Sequence, residues 1–415
     1  MNKASEPRLV GAPGRIARWT PIGAVMFAAL TVAVPVGAQQ TQVQRGEYLA
    51  RAGDCVSCHT AKGGAPFAGG LRLDTPFGYM LSPNITPDPE TGIGRWSGAD
   101  FYRALHDGVN KHGQDMYPTM PYDFYTRATR ADVDAIFAYL RTVKPVRNQV
   151  TINHLYFPFD QRWSMAAWRE LYFKEGTYKP NPAKSAEWNR GAYLVEGFGH
   201  CSDCHSPRNL MGGIEKSKDF QGAVIDGWFA LDLTSDISTG LGAWSKDEIA
   251  TYLKTGAYKG KTTTLGPMAE VVQNSLSYLT TEDLQAMAEY LKSIPPESTL
   301  RSGRKTVDPT RAQGATLYMD NCGGCHQASG RGLPGVFPPL AGNGVVIAPD
   351  PANILKVVDA GIAARGGYIP MPSFKDQLTD QQVAEIANYI RTSWGNGAAP
   401  NVTSAMVAKM RAAKN

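Results

Sequence analysis

The 415-residue sequence predicts a mainly α protein made of three tandem units with Gly- and Pro-rich loops. Three observations lead there. A Cys-x-x-Cys-His pattern occurs three times, similar helix-forming segments stand before and after each copy, and 43 Gly with 28 Pro leave long loops between them. These two residue types make up about 17% of the chain, against roughly 12% in an ordinary globular domain. With 43% hydrophobic and 19% charged residues the composition is that of a globular chain. The formal charge is +5, and it falls to +2 once Lys3, Arg8, Arg15, Arg18 and Glu6 of the first 38 residues are set aside. That leaves no basic excess to release counterions from phosphates, so nucleic-acid binding is disfavoured.

The N-terminus reads as an export signal. Arg15 and Arg18 precede an apolar run from Pro21 to Val36, and Val36-Gly37-Ala38 supplies small residues for cleavage after Ala38. The run is short for a bilayer span and contains Pro35. No later run is long enough to span, so any membrane association is expected to be peripheral or through a partner.

All six cysteines fall in the repeated pattern: Cys55 and Cys58 before His59, Cys201 and Cys204 before His205, Cys322 and Cys325 before His326. Two thiols three positions apart on one helical turn can each add to a haem vinyl group, and the following His then meets the iron. A disulfide framework does not place His after every second Cys. A thioredoxin-like pair needs only one copy. A structural zinc site needs four ligands, and adjacent Cys-His seldom supplies two. The expectation is three covalently bound haem c groups. On the far side of each, a thioether in a Pro-rich loop is the expected sixth ligand, because sulfur opposite His favours the ferrous state. Met120 precedes Pro121, Met268 follows Pro267, and Met371 stands between Pro370 and Pro372, at 61, 63 and 45 residues beyond their histidines. Met116 competes with Met120 but has no Pro beside it. The other four histidines (His106, His112, His154 and His200) are read as surface or haem-edge residues.

The flanking helices repeat. Arg45-Gly46-Glu47-Tyr48-Leu49, Arg190-Gly191-Ala192-Tyr193-Leu194 and Gln313-Gly314-Ala315-Thr316-Leu317 lead into the motifs, each with a Gly that permits close helix contact. Segments 129–141, 280–292 and 379–391 close the units. Each starts with Thr and has Asp132, Asp283 or Gln382 three positions on, a capping-box pattern. Ser97 and Ser245 are expected to cap further helices in the first two units. These repeats divide the chain into a signal peptide (1–38), a first haem unit (39–143), an aromatic-rich linker (144–189), a second unit (190–295), a polar linker (296–311), a third unit (312–395) and a tail (396–415). The first linker's aromatics, from Leu155-Tyr156-Phe157 to Tyr172-Phe173, either pack between units or meet a partner or membrane.

The motif order resembles the triheme cytochrome c subunits of bacterial membrane-bound alcohol, gluconate, sorbitol and fructose dehydrogenases. The residues that carry the resemblance are Gly46-Glu47-Tyr48-Leu49-Ala50-Arg51, Thr75-Pro76-Phe77-Gly78, Asn84-Ile85-Thr86-Pro87-Asp88, Gly266-Pro267-Met268-Ala269-Glu270 and Phe337-Pro338-Pro339-Leu340. It covers essentially the whole chain after the signal. It implies three tandem class I cytochrome c domains whose loops wrap around haem, on the periplasmic side of the inner membrane. It also implies a separate catalytic subunit carrying flavin, pyrroloquinoline quinone or molybdopterin, and delivery of electrons to ubiquinone or another respiratory acceptor. Ser206 to Gly213, after the second motif, looks closer to cytochromes that serve other dehydrogenases, including molybdenum hydroxylases. No nucleophile or general base is expected, so the chain would not be catalytic alone. A stand-alone multihaem carrier and a haem peroxidase are the alternatives, the second opposed by the three Met-bearing loops.

Overall fold

The computed structural model describes residues 36–296 and 310–413. The export signal, apart from its last three residues, and most of the second linker lie outside the described residues. Helices dominate, with only short antiparallel ribbons between them.

The first motif helix, α2 (Cys55–Cys58), follows α1 (Val36–Ala52). After it come the strands β1 (Arg72–Thr75) and β2 (Gly78–Leu81), then α3 (Gly98–Tyr102), α4 (Tyr122–Tyr125) and α5 (Arg130–Leu140). The stretch 144–189 does not stand away from this unit. Its strand β3 (Asn153–Leu155) extends the ribbon by pairing with β2, and α6 (Trp163–Tyr172) buries Met165 and Trp168. Met165 closes a small cluster with Met80 and Tyr117, and Trp168 meets the Tyr122 ring edge-on at 6.3 Å.

The second copy runs α7 (Ala186–Tyr193), α8 (Cys201–His205), the hairpin β4 (Ala223–Ile225) and β5 (Trp228–Ala230), and α9 (Lys246–Thr255). The ribbon β6 (Ala257–Tyr258) and β7 (Thr262–Thr263), α10 (Pro267–Asn274) and α11 (Thr281–Lys292) complete it. The third copy has α12 (Arg311–Asn321), α13 (Gly323–His326), α14 (Gly344–Ile347), α15 (Ala352–Ala360), α16 (Asp380–Thr392) and α17 (Ser404–Ala412).

In each copy the helix before the motif crosses the closing helix: α1 on α5, α7 on α11, α12 on α16. The expected glycines sit at the crossings. A Cβ on Gly46 would lie 1.9 Å from the Ala135 carbonyl oxygen, one on Gly191 1.9 Å from that of Ala286, and one on Gly314 2.5 Å from that of Glu385. The caps form as the sequence predicts. Thr129, Thr280 and Thr379 accept from the backbone N–H three residues on, and Ser97 and Ser245 form full capping boxes. Only Gln382 of the closing helices completes a box. The carboxylates of Asp132 and Asp283 are taken up elsewhere.

Their use joins the first two copies. Arg45 Nε donates to Asp132 and Arg190 Nε to Asp283, each 2.7 Å within its own copy. The tyrosines cross over: Tyr48 donates to Asp283 at 2.5 Å and Tyr193 to Asp132 at 2.6 Å. Those same hydroxyls accept from the backbone N–H of Thr280 and Thr129. This is a reciprocal, self-complementary seam of the kind found in two-fold dimers, here within one chain. One continuous core spans both copies, from Leu49 and Ile136 to Leu194 and Leu284. Residues of the third copy form a separate core around Tyr318, Val383 and Ile386. It meets the second copy through polar contacts, among them the Asn353 amide paired both ways with the Phe229 backbone at 2.8 Å and Arg365 donating to the Thr264 carbonyl at 2.9 Å.

Candidate haem-attachment sites

The first two motifs are held by the same local device. The residue before the first Cys in copies one and two is left-handed, Asp54 at φ 49° and His200 at φ 35°. This turns the chain sharply from the leading helix into the motif helix, a conformation that Asp and Asn tolerate best among residues with a side chain. No disulfide joins any of the six cysteines. Burial pushes Cys55 and Cys201 up to about 12 and Cys322 up to about 11. Neutral thiols in apolar surroundings are not thiolate nucleophiles.

The three histidines share one hydrogen-bond pattern. Nδ1 of His59 lies 2.8 Å from the Pro83 carbonyl, Nδ1 of His205 lies 2.6 Å from that of Leu231, and Nδ1 of His326 lies 3.1 Å from that of Pro338. A carbonyl can only accept, so each ring must carry its proton on Nδ1, which leaves the Nε2 lone pair free. Among the described residues no hydrogen bond involves any of the three Nε2 atoms. Burial lowers the pKa of all three, favouring the neutral ring that a metal requires. A carbonyl tying down the non-ligating nitrogen is the usual outer-sphere support of a metal-bound imidazole.

The third copy shows the cavity. A cleft of ≈ 670 Å³, its open mouth included, is lined by Cys322, His326, Leu340, Val346, Val358 and Met371, among others. One thiol, the imidazole and the predicted thioether thus face one apolar space. Met371 is fixed by a two-way backbone pairing with Ile362. Met268 lies in the first turn of α10, after a Pro at its first position. Met120 is held in a turn by its N–H to the Tyr117 carbonyl, and Met120 and Met268 both pack against the shared core. This set of paired thiols, neutral imidazoles and soft thioethers fits a covalently attached haem.

Two histidines lie deeper than their sequence reading. His106 is buried, with Nδ1 2.6 Å from Asp107 and Nε2 3.1 Å from the Thr177 hydroxyl, so both nitrogens are engaged by protein. The His200 ring packs edge-on against Tyr125 at 5.7 Å. His106 lies near no signal that sequence spacing could register, whereas His200 directly precedes the second motif.

Asp54 supplies a pH test. Burial pushes its carboxyl up to about 7, against the opposing hydrogen bond from Ser57 and with Glu270 adding to the rise. A carboxyl raised on folding is protonated more readily in the folded chain. Its contribution to stability is therefore complete below the unfolded value near 4 and is lost as pH rises through about 7. Asp54→Asn should melt with the parent at pH 4 and well above it at pH 8, by up to about 4 kcal/mol. Thermal denaturation at the two pH values checks this, and an equal gain at both would contradict it.

Comparison with known proteins agrees with these sites. A family profile described as cytochrome c matches residues 43–144 and 311–394, which contain the first and third motifs. The cytochrome c subunit of the quinone alcohol dehydrogenase of Gluconacetobacter polyoxogenes is 40% identical over 417 residues, covering 93% of this chain and 87% of that one. The gluconate 2-dehydrogenase cytochrome c subunit of Pantoea cypripedii is 39% identical over 94% of this chain and 93% of its own length. A nicotinate dehydrogenase component of Pseudomonas putida is 44% identical over 84% of this chain, which spans only 30% of that protein.

Proposed function

Because this chain belongs to the cytochrome c family, among the cytochrome subunits of dehydrogenases, we propose that it is the triheme electron-transfer subunit of a membrane-bound dehydrogenase. The observation that carries the reading is the three-fold recurrence of a Cys-x-x-Cys-His helix whose His is locked in the Nε2-free tautomer. Haem c bound at each site supplies one-electron redox chemistry. The residues hold it. Cys55 and Cys58, Cys201 and Cys204, and Cys322 and Cys325 tether the group, and His59, His205 and His326 present Nε2. Met120, Met268 and Met371 would offer a sulfur ligand, which would raise the reduction potential relative to harder ligands. The apolar lining of the third cleft would exclude water and so favour the less charged, reduced form.

The reading places the chain on the periplasmic side of the inner membrane, taking electrons from a catalytic subunit and passing them to ubiquinone or another respiratory acceptor. Among the described residues no helix is long and apolar enough to cross a membrane, which suits peripheral attachment. The relatives with nearly full-length matches serve alcohol and gluconate oxidation, and the partial match serves nicotinate oxidation. The partner's cofactor, whether pyrroloquinoline quinone, flavin or molybdopterin, tells these apart. Extraction of native membranes in mild detergent should yield this chain in a stable complex with a subunit carrying one of the three. Addition of that subunit's substrate should then reduce the haem bands. A chain that elutes alone from gel filtration, with haems that no such subunit reduces, would contradict the reading.

A further inference from the structure

The reciprocal seam does more than join two copies, because each copy reaches across it to the other's motif. From the second copy, the Asn274 amide at the end of α10 donates to Ser57 Oγ inside the first motif at 2.9 Å, and Ser275 Oγ lies 3.4 Å from the Ala52 carbonyl. From the first copy, the Tyr125 ring packs 6.3 Å from Phe198 and 5.7 Å from His200, the residues leading into the second motif. The Tyr125 hydroxyl donates to the Gly53 carbonyl at 2.7 Å, and the His200 imidazole faces the same carbonyl. The third cleft stands on another side of the second copy, where Thr262, Thr263 and Leu265 form part of its wall.

We propose that Tyr125 and His200 are positioning residues that hold the first and second attachment helices against one another, making the haems they carry one interacting pair and leaving the third apart. This rests on the haem reading above. Within such a pair a single electron passes directly, one iron being oxidised as the other is reduced, with no bond broken and no proton moved. The third site then communicates through the second, along the segment from Thr262 that leads to Met268.

Circular dichroism in the Soret band, on the full chain matured with haem, tests it. Two haems held close and at a fixed angle add an exciton couplet to the Soret bands that each haem gives alone, and its loss in a variant isolates it. The wild-type chain should show the couplet. Tyr125→Phe with His200→Asn should lose most of it while keeping three haems by intact mass and an unchanged far-ultraviolet spectrum. Asn suits the left-handed backbone at 200, as Asp54 does at the matching position. Arg365→Ala, at the seam with the third copy, should leave the couplet unchanged. A wild-type chain with three haems and no couplet overturns the inference, and so does an undiminished couplet in the double variant. If the double variant fails to fold, Tyr125→Phe alone gives the comparison, and an undiminished couplet there overturns the inference. A wild-type chain with fewer than three haems instead sinks the haem reading beneath it.

Discussion

Replacing Gly191 by alanine is expected to unfold the first two copies together. The new methyl would stand 1.9 Å from the Ala286 carbonyl oxygen and 2.9 Å from Tyr290 Cβ. The first of these is backbone, so no rotamer change can move it, and α7 and α11 would have to part by more than an ångström. Overpacking usually costs about 1–3 kcal/mol where side chains can yield. Here the main chain must yield, so a loss above about 3 kcal/mol is expected. The damage should spread, because Arg190 and Tyr193 beside this crossing carry half of the reciprocal seam. Gly46→Ala should behave alike, and Gly314→Ala more mildly, since its Cβ would stand 2.5 Å from the Glu385 oxygen. Thermal denaturation of the three variants gives the ranking. A Gly191→Ala chain within about 1 kcal/mol of the parent would refute the close crossing.

Arg391→Ala should unfold the third copy while sparing the others. Its side chain is fully buried and has no carboxylate partner among the described residues. Nη1 donates to the carbonyls of Val346 at 3.0 Å and Ala348 at 2.9 Å, and Nε to that of Ala399 at 3.1 Å. Burial pulls its pKa down to about 10, which still leaves it charged at neutral pH. Truncation orphans the two buried carbonyls of Val346 and Ala348, loses a third bond at the exposed Ala399, and empties the space of a long side chain. Each unmade bond of this kind costs about 1–3 kcal/mol, so about 3–5 kcal/mol in total is expected. Because the third core is separate from the shared one, calorimetry should show one transition moving down by on the order of 15 °C. A uniform shift of all transitions would show instead that the three copies unfold as one.

Much of this was legible in the sequence because it is local. A motif of five residues, a Thr or Ser three positions before a helix N–H, and a Gly in the helix leading into each motif need no knowledge of the rest of the chain. The parts that were not legible are long-range. Tyr48 and Asp283 are 235 positions apart, and nothing near either one announces the other. Asp132 and Asp283 sit where a capping carboxylate would, and that local pattern concealed their use by Arg and Tyr. The stretch 144–189 looks like a linker because it lies between two repeats. Its strand nevertheless completes the first copy's ribbon, an edge whose backbone groups need a partner. His106 sits on a helical face with polar neighbours and is buried only because the chain around Thr177 folds back over it.

Every functional statement depends on a haem at each of the three motifs. The most direct measurement is the intact mass of the exported, haem-matured chain after acid–acetone extraction, taken together with the haem-to-protein ratio in alkaline pyridine. The account predicts a chain that stays red and heavier than its polypeptide by three haems. A mass corresponding to the bare polypeptide, or to one or two haems, would contradict it.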